Sequence, residues 1–434
     1  MDKMADVLGR AGAWCGQNKY LSAIKNAFQN FMPLTIAGAI GVLWCNVLVN
    51  DQTGLGLFFK PIMALDFLNP AFQAVNFCTI SCITVGITLG IAQEIGVWNM
   101  GAERAGYIPG LVGLAAWLSV TNTSHMVDGA KEAFTGIAGN ELGATGLFTG
   151  MIIGVLSVEL FCFFEKQDAL KIKMPEQVPP GVARAFEVLV PATITLIITA
   201  CIGSACYNLT GLYLNDVIKN GVQGPLGAVG ATVPGVMIIY LVIMLFWLVG
   251  IHGNNMLSAV KEALFTPLAL ENVEKFNKGE KPTNIINMYA LQMWGEFGGS
   301  GVTIGLVIAI MIFGKREDNK AIASLSLVPG LFNINETVTF GIPMVLNPIL
   351  GIPFVFACLV TILVGYVLTV IGFCPVACLT VPWTTPPIVF GFLACGANVM
   401  GAVTQAILIV VSTVIYTPFL IAYEKYQNKQ AAEV

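Results

Sequence analysis

From Thr337 to Tyr423 the chain runs 87 residues without one charged side chain. A water-facing surface needs charge, and a run like this has none to offer; a hydrocarbon surround removes the need. One helical crossing takes about 20 apolar residues, so the run is too long for a single pass. Its Gly and Pro clusters (GIPMVLNPILGIP, GFCP and VPWTTPP) divide it into three or four pieces. Other charge-free runs precede it: Phe31–Asn50, Ala74–Gln93, Ala105–Val127, Leu142–Val158, Val188–Asn215, Asn220–Ile251 and the shorter Phe297–Gly314. Together they predict an all-α polytopic membrane protein with about ten crossings. Charged residues make up only 11% of the chain, against about a quarter in soluble domains. The net charge of −4 implies no nucleic-acid partner. The first residues lack a short apolar core followed by a small-residue cleavage site, so no cleaved signal peptide is expected.

Basic residues set the orientation, because cytoplasmic loops are rich in Lys and Arg. Lys3, Arg10, Lys19 and Lys25, then Lys166, Lys171, Lys173 and Arg184, and finally Lys425 and Lys429 are predicted to be cytoplasmic, which puts both termini inside. The segments Asp51–Asp66 and Asp128–Glu141 each hold one lysine against two or more acids and are predicted to face outward. Four crossings fit between Lys25 and Lys166, and the proline-rich Met174–Gly181 reads as a linker between two halves. The second half is less regular. A single crossing at Phe297–Gly314 would leave Lys315, Arg316 and Lys320 outside. Either His252–Glu296 hides an extra crossing, or part of it dips in and returns. Re-entrant backbone is tolerated only where it lines a cavity, so the irregularity itself points to a binding site.

Ionisable residues within apolar sequence are functional candidates. His252 ends the run IIYLVIMLFWLVGIHGNN, and Glu336 stands alone between Lys320 and Glu424. Asn254 and Asn255 follow the histidine, while Asn333 and Asn335 precede the glutamate. Amides carry donors and acceptors together, which suits a neutral ligand rich in hydroxyls. Gly250, Gly253, Gly341, Pro329, Pro343 and Pro348 interrupt helices on either side, as at binding sites formed by broken helices. Trp294 in LQMWGEFGGSG and Trp383 in VPWTTPP either stack on a sugar ring or belong to an interfacial belt. Glu296 either lines the same cavity as Trp294 or, the reading preferred, sits at the surface; His125 is assigned to an exposed loop, and Asp128, Glu132 and Glu141 to a solvated face. The eleven cysteines form no CxxC pair and read as small apolar residues. No phosphate-binding loop, metal-ligand spacing or nucleophile elbow occurs, so neither cofactor nor metal is expected.

FWLVGIHGNNML (Phe246–Leu257), GGSG (Gly298–Gly301), FNINETVTFGIPMVLNPILGIPF (Phe332–Phe354) and VPWTTPPIVFGFLACG (Val381–Gly396), with the N-terminal YLSAIKNAFQNFMPLTIAGAI, resemble the membrane subunit, enzyme IIC, of the bacterial phosphoenolpyruvate:sugar phosphotransferase system. Within it the chain is similar to the lactose/cellobiose/diacetylchitobiose family. The resemblance implies an elevator-type two-domain architecture. Residues 1–180, extending to about 215, would form a dimerisation scaffold of about five spans. Residues 220–434 would form a sugar domain with two re-entrant hairpins. It further implies that Glu336 contacts the hydroxyl to be phosphorylated, acting as hydrogen-bond anchor and general base, and that His252 contacts the sugar. Asn254, Asn255, Asn333, Asn335, Trp294 and Trp383 are the remaining candidate sugar contacts. The substrate class implied is a β-linked disaccharide, carried across the bacterial cytoplasmic membrane. A separate IIB subunit then donates phosphate from a cysteine, itself supplied through IIA and HPr. The chain offers no cysteine in a Gly/Ser/Thr-rich anion-binding loop, so it needs that donor for chemistry. Thr337 stands where many relatives are expected to carry proline. A homodimer is implied, and Gly146, Gly150 and Gly154 share a helix face that suits close helix approach, either between copies or within one. Two other classes compete: an ion-coupled transporter relaying protons through Glu336 and His252, and an integral enzyme on lipid-linked substrates, for which no polar catalytic loop is present.

Overall fold

The computed structural model describes residues 17–51, 55–125, 134–175, 177–342, 344–345 and 347–433, with Arg10, Ala13 and Trp14. Lys3, Asp128, Glu132 and Pro343 lie outside the described residues. The chain is helical almost throughout; a two-residue antiparallel ribbon pairs Ser124–His125 with Phe134–Thr135. Among the described residues, six helices are long and apolar enough to cross a membrane: Lys19–Leu48, Lys60–Met100, Ala144–Glu165, Pro180–Thr210, Gly351–Val370 and Val399–Gln430. A seventh is obtained if Met288–Val302 and Ile304–Phe313, bent by 59° at their junction, count as one broken span. Ile108–Val120 and Val233–Leu248 are apolar but shorter.

The chain divides into two units. One holds Gln17–Gly38 and Val75–Ala228. Its centre is α1 (Ile83–Met100), packed against α2 (Ile108–Val120) and α3 (Ala144–Glu165), with α4 (Pro180–Thr210) against α2 and α3. Ile87, Ile91 and Ile95 recur at i+4 along α1 and are fully buried, as is Trp117 of α2. Glycine sets the spacing: a Cβ on Gly150 would stand 2.2 Å from Thr88 Oγ1, and one on Gly154 3.1 Å from the Thr88 carbonyl. The Gly150 and Gly154 positions of the α3 stripe are therefore used to seat α3 on α1 of the same chain. At one end of the unit, Glu165 accepts from Arg104 and Arg184 at 2.9 Å each, and Glu187 bonds both arginines. His125 is half-buried against Phe134, with Asn122 Nδ2 3.5 Å from its Nδ1, rather than freely exposed. Glu141 is buried and accepts from Asn215 Nδ2, so it does not belong to a solvated face.

The second unit holds Ala39–Ala74 and Val229–Val434. In order come α5 (Val233–Leu248), α6 (Gly253–Met256), α7 (Ser258–Asn277), α8 (Met288–Gly295), α9 (Ile304–Phe313), α10 (Glu317–Leu331), α11 (Glu336–Gly341), α12 (Gly351–Val370), α13 (Val389–Ala394) and α14 (Val399–Glu433). The long α14 lines α9, α12 and α13, while α5 and α8 lie against α12. The irregular stretch His252–Glu296 contains α6, the charged α7 and the apolar α8. Three asparagines stitch it. Asn272 Nδ2 donates to the Asn284 and Ala377 carbonyls at 2.9 and 3.0 Å, Asn287 Nδ2 donates to the same two at 2.8 and 3.1 Å, and Asn287 Oδ1 caps the α8 N–H groups of Tyr289 and Ala290.

Candidate functional site

Helix α5 begins with Thr232, whose hydroxyl accepts from the Gly235 N–H at 3.2 Å. It ends where Gly250 takes φ +81, a left-handed conformation that only glycine adopts freely. That turn frees His252, which caps α6: its Nδ1 accepts the Asn255 N–H at 3.3 Å. The neutral ring therefore carries its proton on Nε2. The imidazole leans on Trp247, with ring centroids 4.4 Å apart.

A second break brings Glu336 opposite. Helix α10 ends after Pro329, whose carbonyl takes the N–H groups of Phe332 and Ile334. Asn333 then sits at φ +63 and Glu336 opens α11. Asparagine tolerates the left-handed region better than other side-chain-bearing residues, and a carboxylate is favoured in a first helical turn. His252 Nε2 and Glu336 Oε1 lie 3.9 Å apart, with 38% and 47% of their side chains exposed. Donor and acceptor face one another across a gap too long for a direct hydrogen bond and open to solvent.

The asparagines divide by role. Asn254 Nδ2 meets Ser300 Oγ at 3.1 Å, while its Oδ1 is buried without a protein partner. Asn255 is exposed and contributes the N–H that fixes the histidine ring. Asn335 is 3% exposed and donates to the Ser300 carbonyl at 2.8 Å. Asn333 is committed to the backbone on both sides of its amide. Oδ1 accepts the Gly298 N–H at 2.6 Å, and Nδ2 donates to the carbonyls of Trp383 and of Thr385, the latter at 3.1 Å. It thereby clasps GGSG, NINE and VPWTTPP together. Trp383 is 44% exposed, whereas Trp294 is 1% exposed with its ring pressed on Gly365. Of the two tryptophans, only Trp383 presents a free face.

The charged residue beside Trp294 behaves differently from its surface assignment. Glu296 is largely buried; it accepts from Tyr240 Oη at 2.6 Å and from Lys261 Nζ, itself only 6% exposed. The ammonium also lies 5.5 Å from the Tyr240 ring centroid. Lys261, Tyr240 and Ser300 were not singled out by sequence. Lys261 looks like any charge on the amphipathic α7, and Ser300 like a turn residue.

A family model described as "Phosphotransferase system, EIIC" matches residues 25–358. The chain is 32% identical over 429 residues to the oligo-beta-mannoside-specific EIIC component of Bacillus subtilis, covering 98% of this chain and 94% of that one. It is 28% identical to the cellobiose-specific EIIC component of Lactococcus lactis subsp. lactis, covering 98% of each. The crystal structure of the transporter ChbC, the IIC component from the N,N'-diacetylchitobiose-specific phosphotransferase system, superposes with a TM-score of 0.88 at 29% identity over 97% of both chains. With several apolar helices of spanning length, a family match over most of its length and a solved relative that superposes over 97% of both chains, the chain belongs to the EIIC family, the membrane-embedded sugar permeases of the phosphotransferase system.

Proposed function

We propose that the chain carries a β-linked disaccharide across the bacterial cytoplasmic membrane and presents one of its hydroxyls to a phosphorylated IIB subunit. The sugar class rests on the named specificities of the relatives, and the position of the reacting hydroxyl rests on one observation. His252 Nε2–H and Glu336 face each other at 3.9 Å. An oxygen about 2.8 Å from both, the ordinary hydrogen-bond length, sits at the apex of a triangle with an angle near a right angle. A sugar hydroxyl there accepts from His252 and donates to Glu336. The carboxylate is then placed as general base when that oxygen attacks phosphorus. Asn254 and Trp383 are the flanking sugar contacts, and Asn333 and Asn335 hold the backbone that presents them.

Family membership favours this over proton-coupled transport. The phosphoryl group comes from a cysteine of the IIB subunit, recharged through IIA and HPr, and the protein alone binds and exchanges sugar without modifying it. The unit bearing His252 and Glu336 moves as a rigid body between membrane faces, both termini stay cytoplasmic, and the N-terminal half is the dimer scaffold. The dimer rests on family resemblance alone, since Gly150 and Gly154 are occupied within one chain.

The test uses purified protein in liposomes with cellobiose and N,N'-diacetylchitobiose. Sugar phosphate is expected only when phosphorylated IIB is added, and Glu336→Gln abolishes it. Wild-type phosphorylation by that variant, or uptake that collapses with the proton gradient and ignores IIB, refutes the reading.

A further inference from the structure

The His252 and Glu336 arms are separated by 84 residues of sequence and have no direct hydrogen bond between imidazole and carboxylate. Something else must hold the gap. The segment Glu296–Gly301 touches every part. Glu296 is pinned by Lys261 and Tyr240. The Gly298 N–H is taken by Asn333, and its carbonyl by Thr303 Oγ1 at 2.6 Å. The Gly301 carbonyl accepts from Tyr416 Oη, a buried hydroxyl, at 2.7 Å. Gly298, Gly299 and Gly301 have φ +67, +86 and +76, and a Cβ on Gly299 would meet Asn335 at 2.6 Å. The loop is thus fixed at both ends and admits no side chain at its centre except that of Ser300.

Ser300 is 4% exposed and bonds both arms. Its hydroxyl meets Asn254, two residues past His252, and its carbonyl accepts from Asn335, the residue before Glu336. We propose that Ser300 is a positioning residue that sets the distance between His252 and Glu336, and with it the fit of the sugar hydroxyl. The proposal rests on reading that pair as the hydroxyl site. Ser300 itself touches no sugar. Its backbone bond to Asn335 survives any substitution, so a side-chain variant releases the histidine arm and leaves the glutamate arm in place. The consequence falls on the sugar's fit, with the phosphate donor unaffected.

Ser300→Ala should raise KM for cellobiose about fivefold in liposomes with saturating phosphorylated IIB, the scale of one ordinary hydrogen bond. KM for IIB should not move, and the thermal midpoint should fall only slightly, as for the loss of one buried hydrogen bond. Ser300→Thr, which keeps the hydroxyl, should return KM to within about twofold of wild type. Ser300→Gly, which also lacks the hydroxyl, serves if Ser300→Ala is not recovered folded. Asn254→Ala removes a proposed sugar contact as well as the bond, so it enters only through the double variant, which should be no weaker than Asn254→Ala alone. A KM unchanged in Ser300→Ala, or multiplied effects in the double variant, overturns the proposal. Glu336→Gln and His252→Ala run alongside. If they retain wild-type kinetics, the hydroxyl site is misassigned and the proposal falls with it. If they lose activity while Ser300→Ala does not, only the positioning role is wrong.

Discussion

Removing the ammonium of Lys261 isolates a carboxylate that has almost no water to turn to. The Lys261 side chain is 6% exposed and that of Glu296 17%. Breaking one partner of a buried ion pair costs about 3–5 kcal/mol, because the other charge is left uncompensated. Glu296 keeps the Tyr240 hydroxyl at 2.6 Å, so Lys261→Met should fall at the lower end, about 3 kcal/mol. Neutralising the glutamate as well removes the stranded charge. The double variant Lys261→Met with Glu296→Gln retains an acceptor for Tyr240 and a methionine of similar length on α7, and should lie within about 1 kcal/mol of wild type. Equilibrium unfolding in mixed detergent micelles reads both. A Lys261→Met protein as stable as wild type, or a double variant less stable than the single one, refutes the reasoning. Because Glu296 begins the loop that carries Gly298 and Ser300, the single variant should also weaken sugar binding, and the double variant should recover part of it.

Gly150→Val places carbon where Thr88 Oγ1 stands 2.2 Å away; the folded yield after detergent extraction should collapse, and a normal gel-filtration profile would show that α1 and α3 can separate. Gln405→Leu leaves the Ile388 and Gly391 N–H groups, both 2.8 Å from Gln405 Oε1, without an acceptor; about 2 kcal/mol of stability should be lost, with increased proteolysis near Ile388, and an unchanged digestion pattern counts against it. Trp383→Ala should weaken cellobiose binding about tenfold, Trp383→Phe much less, as isothermal titration will report; equal affinities would show that the exposed ring is no sugar platform.

Counting charges was enough to place the chain in lipid and to single out His252 and Glu336, which the fold brings to 3.9 Å of one another, because an isolated charge in apolar sequence is visible without any contact being known. Neighbours in sequence were harder to separate. Trp294 and Glu296 flank Gly295, where α8 ends; the tryptophan is buried and the carboxylate largely so, and nothing in LQMWGEFGGSG tells which groups cover them. Lys261 is concealed by the other charges of α7, and its partner arrives 35 residues later. The asparagines of NINE read as ligands because amides suit sugars, yet the Asn333 amide is committed to three backbone groups, a pairing set by tertiary closure of GGSG and VPWTTPP. The glycine stripe of α3 fits two uses equally well by spacing, and only the position of Thr88 decides between them for Gly150 and Gly154. The grouping of Ala39–Ala74 with Val229–Val434 leaves no trace in local sequence.

The commitment of His252 Nδ1 to a backbone N–H gives the gap a polarity. Of the two sides facing a bound oxygen, one can only give a proton and the other, ionised, can only take one. An alcohol satisfies both at once. An ether keeps the contact with the ring but has nothing for the carboxylate, and a fluorine substituent does the same more weakly. A hydrogen in the same place satisfies neither. Chemically edited disaccharides should therefore rank alcohol, ether, fluoride, deoxy at the reacting position when size is matched, while edits elsewhere on the sugar need not follow that order. Under the function proposed above, the single position that obeys the ranking is the oxygen that receives the phosphoryl group, and comparing it with the isolated product checks the assignment.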